Sequence, residues 1–428
     1  MKISYKLLGN VFTIFVLFLS TGAFLSVIVG TNLQASEEGS PLTQVIWAVV
    51  YLIVIVRAIA WRREFLPLVR ANKSLCSLVL LAIVSASWSL DPVATLHHSV
   101  ALLGTTLIGM DFALRHSIRE QVRLICIVLS SVILLSIATQ IFLPGLLPHF
   151  GPDPSVWQGI FGQKNTFGIM VVLAAAAFLS RPRHSRRDTV LIFALMALAA
   201  ALVIASHSAG SLVQLIALMV ISLVLGALRW RPSVLIITAV LSLLVMVPAI
   251  YLTLSNFERV TAALGRDPTL TGRTEIWRLA RESIASRPIL GYGYDVFWEF
   301  SSQEATRIRS EVRWDAPSAH DGYLDLLLDL GILGLLLYAV AYFVTVSRVV
   351  LLFRSGPESD MTWPLLFLAE ILLHQITETS IVIPNSIHWI LFVAIAISVT
   401  KPSIVLEPAV SGEDAAESLP EEAVLTEA

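Results

Sequence analysis

Apolar runs of about 20 residues recur along almost the whole of this chain. A run of that length is what an α-helix needs to cross the hydrocarbon core of a bilayer, which is roughly 30 Å thick. Each run is expected to be a helix, because backbone polar groups cannot go unpaired in lipid. Of the 428 residues, 56% are hydrophobic and 14% are charged. This composition is typical of a polytopic membrane protein and not of a soluble domain.

The sequence therefore predicts an all-α membrane protein with about twelve transmembrane helices. The predicted spans lie near residues 11–30, 42–60, 74–90, 96–113, 122–143, 166–180, 189–206, 209–228, 233–254, 321–346, 363–382 and 386–400. Because three of these runs are short or interrupted, the count is open by one or two. The first run is longer than the apolar core of a signal peptide, which predicts an uncleaved helix.

Charge patterning predicts the orientation. Lysines and arginines fall in alternate short loops, whereas Lys164 is the single cation of the intervening short loops. By the positive-inside rule both termini are cytoplasmic. The chain then divides into nine helices over 1–254, an outer loop over 255–320, three helices over 321–400 and an acidic tail over 401–428 that is predicted to be disordered.

The outer loop contains the pattern of a short amphipathic helix at 271–287, where apolar residues share one stripe and Pro288 ends the pattern. Arg273 lies in its first turn, where the helix dipole disfavours a cation unless an anion also binds there. The alternative is a solvated arginine paired with Glu275 or with lipid phosphate. Downstream, Tyr292 and Tyr294 lie in GYGYDVFWEF, whose rings either stack on a sugar or anchor the loop among lipid headgroups.

Two short outer loops carry further candidate binding residues. Lys164 and Asn165 lie in GIFGQKNTFG (159–168), whose glycines allow close approach of a ligand. The alternative for the lysine is a side chain that snorkels from a helix end. His207 and Ser208 lie in SHSAGS (206–211), where they contact a sugar or merely turn the chain.

The segment SAHDGYLDLLLDLGILG (318–334) places ionisable groups at the start of the tenth span. Asp321, Asp325 and Asp329 share one helix face, so they are expected to line a polar cleft, because an acidic residue facing lipid is costly. Asp321 and Asp325 are candidate substrate-binding residues in that cleft. His320, just outside the helix, is a candidate general base. A matching stripe of Glu370, His374 and Glu378 lies in the eleventh span; a proton relay or a metal site is possible on spacing alone, and its role stays open.

Four of these segments resemble the O-antigen ligase and polysaccharide polymerase (Wzy-like) superfamily, and within it the ExoQ-like exopolysaccharide polymerases. They are FGQKNTFG (161–168), LTGRTEIW (270–277), RPILGYGY (287–294) and AHDGYLDLLLDLGILG (319–334), in the order found in that family. The resemblance implies that Arg273 holds a diphosphate and that His320 serves the acceptor hydroxyl. Ala209 stands where many members have an arginine, so Lys164 or Arg266 is expected to supply the second phosphate contact.

The resemblance further implies a metal-independent glycosyltransferase without a cofactor. It would act on undecaprenyl-diphosphate-linked oligosaccharide at the periplasmic face of the bacterial inner membrane and polymerise exopolysaccharide repeat units. A chain-length regulator and export machinery are the implied protein partners, and no nucleic acid is expected. Two alternatives remain: a ligase that transfers finished polymer to lipid A or another acceptor, and a polysaccharide or ion-coupled transporter.

Overall fold

The computed structural model describes residues 2–23, 40–143, 155–183, 185–228, 273–354 and 361–400. Within these ranges the chain is helical and has no β-strand, which confirms the predicted all-α class. The helices are α1 (Lys2–Ser20), α2 (Pro41–Ala60), α3 (Arg62–Ala71), α4 (Lys73–Val84), α5 (Pro92–Arg115), α6 (Ile118–Phe142), α7 (Lys164–Leu179), α8 (Arg186–Ala205), α9 (Ala209–Leu228), α10 (Arg273–Ser286), α11 (Gln303–Val312), α12 (Gly322–Arg354), α13 (Thr362–His374) and α14 (Ile387–Ser398).

Six of the described helices are long and apolar enough to cross a membrane, and a seventh span results if the bent pair of α3 and the helical segment 73–87 is one span. Four shorter apolar helices lie at Lys6–Ser20, Lys164–Leu179, Thr362–His374 and Ile387–Ser398. These helices support a multi-pass membrane protein, while the count of about twelve spans and the orientation stay predictions. The predicted span at 233–254, the loop residues 255–272 and the tail 401–428 lie outside the described residues.

Helix α7 is enclosed by four other helices. Every residue from Phe167 to Phe178 is buried, and the helix packs against α6, α8, α9 and α13. Gly168 allows one of these contacts, since a Cβ added there would lie 2.4 Å from the Oγ of Ser211 on α9. Because α7 begins at Lys164, the GQKN segment lies at its N-terminal end. Polar residues at or near the ends of α9, α10 and α13 lie close to this segment.

Helix α12 is broken at Gly331, whose positive φ of 62° is in the left-handed region. The break frees backbone carbonyls and amides of α12 for the loop that precedes α11. The amide of Tyr292 donates to the carbonyl of Leu328 (2.8 Å) and the amide of Ile332 donates to that of Pro288 (2.9 Å). A Cβ at Gly331 would lie 2.3 Å from the Ile289 carbonyl oxygen, so only glycine permits this approach. The RPILGYGY segment is thus docked on α12.

Docking places the aromatic rings of this loop inside the protein. Tyr292, Tyr294 and Phe297 are all buried, and the hydroxyls of the two tyrosines donate to the carbonyls of Ser283 and Val382. The structure thus corrects the expectation of sugar stacking or headgroup anchoring for Tyr292 and Tyr294. The rings are not available for either role because the glycines beside them let the loop turn inward.

The predicted amphipathic helix of the outer loop is present as α10, with Ile276, Leu279 and Ala280 buried as the stripe requires. Two of the helices in the described part of the chain were not predicted. Helix α3 is amphipathic and lies at 95° to the helical segment that follows it, and α11 packs against α10.

The predicted span at 363–382 is too long at its C-terminal end. Helix α13 ends at His374, and the chain then turns without regular structure until α14. The fully buried side chain of Gln375 stabilises these turns, because its Oε1 accepts from the amides of Ser380 (3.0 Å) and Ile381 (3.2 Å). Glu378 lies in this turn segment, outside the helices.

Candidate active site

The carboxylate of Glu378 is the centre of a cluster of polar side chains. Its Oε2 lies 2.7 Å from Nδ1 of His320. Its Oε1 accepts from Nη2 of Arg273 (2.8 Å) and from Nδ2 of Asn165 (2.8 Å). These four residues come from separate parts of the chain, and the side chains of Arg273, His320 and Glu378 are each 17 to 18% exposed. The structure therefore brings together three residues that the sequence singled out and one whose role it left open.

Arg273 is the first residue of α10, and the buried stripe of that helix fixes where its side chain begins. Its Nη1 also donates to the carbonyl of Thr377 (2.5 Å). A guanidinium has five N–H donors, and these contacts use two of them. The group is thus held from one side while it keeps donors for an anionic ligand.

His320 lies in the turn that leads into α12, with a positive φ of 51° that non-glycine residues seldom adopt. Its amide donates to the Ser318 hydroxyl (3.1 Å), and its ring stacks on Trp314 with the ring centres 5.8 Å apart. Asp321, the next residue, accepts from the amides of Tyr323 and Leu324, so it caps α12. With Nδ1 directed at Glu378, Nε2 has no hydrogen-bond partner among the described residues.

Asn165 lies at the first turn of α7 and connects Glu378 to the turn between α8 and α9. Its Oδ1 accepts from the Ser208 hydroxyl (3.2 Å), which in turn lies 2.9 Å from the Ser211 hydroxyl. Lys164 precedes Asn165 and is half-buried, while His207 is exposed and has a positive φ of 51°. Arg266 lies outside the described residues.

The charges around Glu378 change its acidity. Burial raises the pKa of this carboxyl, but the hydrogen bond from His320 and the charges of His320 and Arg273 outweigh burial, so that the pKa falls to about 2. Glu378 is therefore an anion at neutral pH. A partly buried carboxylate beside an imidazole orients the ring and holds a hydrogen on the nitrogen that faces it.

The sequence grouped Glu378 with Glu370 and His374, but the structure separates them. Glu370 is fully buried, and its Oε1 lies 3.4 Å from Nε2 of His388 on α14. The ring of His374 stacks on that of His388. Glu378 instead faces the Arg273 loop because the chain turns after His374. Within the described ranges no group of three or more His, Cys, Asp or Glu residues is arranged to hold a metal ion.

The site can be compared with known proteins. Residues 191–339 match the family model for O-antigen ligase, a segment that contains Arg273 and His320. The chain is also 28% identical over 99 residues to the exopolysaccharide production protein ExoQ of Rhizobium meliloti (strain 1021), an alignment that covers 22% of this chain and 23% of that relative. The predicted family resemblance is confirmed. The chain thus aligns with less than a quarter of the length of ExoQ.

The O-antigen ligase-like segment does not contain the whole cluster. Asn165 precedes the matched residues and Glu378 follows them, so the fold adds two partners from elsewhere. Glu378 was missed as a site residue because an acid spaced four from a histidine is read as part of a helix. One feature of the sequence could have identified Glu378 as a site residue: it lies near the predicted outer end of the eleventh span, on the same side of the membrane as the predicted loop that contains Arg273.

Proposed function

We propose that this chain is a glycosyltransferase that moves a glycan from a polyprenyl diphosphate carrier to a hydroxyl of a lipid-linked repeat unit, and so polymerises exopolysaccharide. One observation carries the proposal: the two carboxylate oxygens of Glu378 form hydrogen bonds with the imidazole of His320 and with the guanidinium of Arg273. One cluster thus contains a base for the attacking hydroxyl and a cation for the departing diphosphate, which are the two groups this reaction requires.

His320 supplies the base. A neutral imidazole that donates its Nδ1 hydrogen to Glu378 has its lone pair on Nε2. That nitrogen takes the proton of the acceptor hydroxyl as the oxygen attacks the anomeric carbon of the donor sugar. Glu378 stabilises the imidazolium that results, as a buried carboxylate does in hydrolases that pair histidine with aspartate.

Arg273 supplies the charge for the leaving group. The bond between the anomeric carbon and the diphosphate oxygen breaks with its electron pair on oxygen, and the guanidinium donors not used by Glu378 and Thr377 bind the anion. The products are the new glycosidic bond, the polyprenyl diphosphate and the proton on His320. Lys164, beside Asn165, is proposed as a second contact to the diphosphate.

The proposed setting is the outer face of the bacterial inner membrane, with undecaprenyl-diphosphate-linked oligosaccharide as donor and no metal requirement. The matched family is described as O-antigen ligase and the matched relative as an exopolysaccharide production protein, and both descriptions support a role in polysaccharide assembly. A ligase differs only in its acceptor. Polymer that accumulates on the lipid carrier in a deletion strain would indicate the ligase, whereas loss of all chains longer than one repeat unit would indicate the polymerase.

The test is glycosidic-bond formation by the purified full chain in nanodiscs, with lipid-linked oligosaccharide extracted from the membranes of the source organism. The wild type should lengthen the glycan and release undecaprenyl diphosphate, also in the presence of EDTA. His320→Ala should abolish both products. The matched control is His98→Ala, because His98 is another histidine whose side chain is 17% exposed and which contacts the Asp295 carboxylate (3.5 Å), away from the cluster. An active His320→Ala variant or an inactive His98→Ala variant would contradict the assignment.

A further inference from the structure

The carboxylate of Asp325, buried in the first turn of α12, accepts three hydrogen bonds from within the protein. Its Oδ1 accepts from the backbone amide of Ala319 (3.0 Å) and from the indole Nε1 of Trp298 (2.7 Å). Its Oδ2 accepts from the hydroxyl of Thr379. Nearly all of its acceptor capacity is therefore used by the fold, and little surface is left for a sugar.

Two of these donors are the chain neighbours of the reacting pair. Ala319 precedes His320, and Thr379 follows Glu378. One buried carboxylate thus joins the turn that carries the base to the turn that carries its partner. We propose that Asp325 is a positioning residue, which sets the distance and the angle between Nδ1 of His320 and the carboxylate of Glu378. This inference rests on the proposed function, because it gives Asp325 a role in the rate of glycosyl transfer.

The need for such a residue is visible in the backbone. His320 has a left-handed φ of 51°, a conformation that persists in a non-glycine residue only when its surroundings fix it. Glu378 lies beyond the end of α13, where its amide still donates to the His374 carbonyl (3.0 Å), so it is the direction of its side chain that depends on tertiary hydrogen bonds. A second link runs from the Gly322 amide to the Gln375 carbonyl (2.8 Å), two residues from His320 and three residues from Glu378 along the chain. Asp325 makes the link nearest to the pair.

Asp325 is not a catalytic residue in this arrangement, because it touches neither His320 nor Glu378 through a hydrogen bond. It was predicted to contact substrate from the wall of a polar cleft. The structure instead turns its carboxylate toward Ala319, Trp298 and Thr379. Its effect on the reaction is therefore expected in the turnover number and not in the affinity for the donor.

Thr379→Val tests the link with the least disturbance, since valine has nearly the volume of threonine and lacks only the hydroxyl. With the lipid-linked oligosaccharide assay, kcat should fall about tenfold or more, because small misplacement of reacting groups has effects of that size or larger. KM for the donor should stay within about twofold of the wild type. Thr379→Ser, which keeps the hydroxyl, should have a kcat close to that of the wild type.

Thr345→Val is the matched control. Thr345 is a buried threonine on α12 whose hydroxyl donates to the Ala341 carbonyl (2.7 Å), so the same chemical change is made away from the pair. Asp325→Ala is the second variant, and it should lower kcat at least as much as Thr379→Val. If Asp325→Ala fails to fold, the comparison of Thr379→Val with Thr379→Ser and Thr345→Val still decides.

The outcomes separate the two proposals. A wild-type chain that forms no glycosidic bond overturns the proposed function and this inference with it. If the wild type is active and Thr379→Val has the same kcat as Thr345→Val, the inference is overturned but the proposed function is not. The inference is also overturned if kcat is as low in Thr379→Ser as in Thr379→Val, because the loss of activity would then not result from the loss of the hydroxyl.

Discussion

The Nδ1 atom of His320 lies 2.7 Å from Oε2 of Glu378, although 58 residues separate the two in the chain. If this contact fixes the tautomer of the base, Glu378→Gln should lower kcat for glycosyl transfer by roughly 10²- to 10⁴-fold, the range of a general base. Glutamine keeps the size of the side chain but cannot stabilise an imidazolium. The assay is the release of undecaprenyl diphosphate, with Glu299→Gln, near His98, as the control that should retain activity.

Glu378 also predicts a pH dependence of stability. Its folded pKa of about 2 lies below the ordinary value of 4.5, so it stabilises the folded state fully above about pH 4.5 and loses that contribution as the pH falls toward 2. The contribution is on the order of 3 kcal/mol at most. Thermal unfolding in detergent should show wild type more stable than Glu378→Gln near neutral pH, with the gap narrowing below about pH 4.5. A gap that is constant from pH 6 to pH 3 would contradict this assignment.

Arg273→Lys should retain the charge but lose activity. A lysine ammonium cannot bind Glu378 and the Thr377 carbonyl with two separate N–H groups while it also offers donors in a planar fork to a diphosphate. We expect kcat/KM for the lipid-linked donor to fall by about 100-fold, since removing one hydrogen bond to a charged group costs roughly 1.5–3 kcal/mol. Arg57→Lys is the control, because Arg57 is also a partly buried arginine paired with a carboxylate, that of Asp111 (3.1 Å). Equal decreases in both variants would argue against a role of Arg273 in donor binding.

The break in α12 predicts that Gly331→Ala is destabilising. Alanine would be forced into a left-handed φ, at a cost of about 1–3 kcal/mol, and its Cβ would meet the Ile289 carbonyl. Thermal unfolding should show a lower midpoint, and limited proteolysis should show faster cleavage near residues 288–293. Gly226→Ala is the comparison, since no described atom lies within 4 Å of its added Cβ in α9. That variant should be neutral or stabilised by up to about 1 kcal/mol. A Gly331→Ala variant as stable as Gly226→Ala would mean that the docked loop does not require the glycine.

Glu370 tests the transporter alternative. Neither of its carboxylate oxygens has a hydrogen-bond donor among the described residues, and its ionic neighbour is His388. A neutral side chain of the same size should be tolerated there, because burying a carboxyl group that accepts no hydrogen bond costs free energy. Glu370→Gln should therefore keep glycosyl transfer at the wild-type rate and unfold at the same temperature or higher. Substrate movement across a proteoliposome membrane by the wild type, lost in a folded Glu370→Gln protein, would instead favour an ion path through this residue.

The sequence determined the membrane class, because apolar runs long enough to cross a bilayer are fixed by composition and length. It also predicted an amphipathic helix over 271–287 from the spacing of Ile276, Leu279 and Ala280, and the structure has this helix at Arg273–Ser286. These features are local, so the residue pattern alone carries them. The role of His320 as the base stays a prediction.

Only the tertiary structure decided the position of Glu378 beside Arg273 and His320, the inward turn of Tyr292 and Tyr294, and the end of α13 at His374. Each depends on hydrogen bonds between distant parts of the chain: Glu378 with Arg273 and His320, and the Tyr292 amide with the Leu328 carbonyl. Such bonds form only when several helices pack at particular positions and the break at Gly331 exposes carbonyls. Spacing along one helix carries no information about hydrogen bonds of this kind. For this reason Glu370, His374 and Glu378, which share one stripe in the sequence, lie in two separate clusters in the structure.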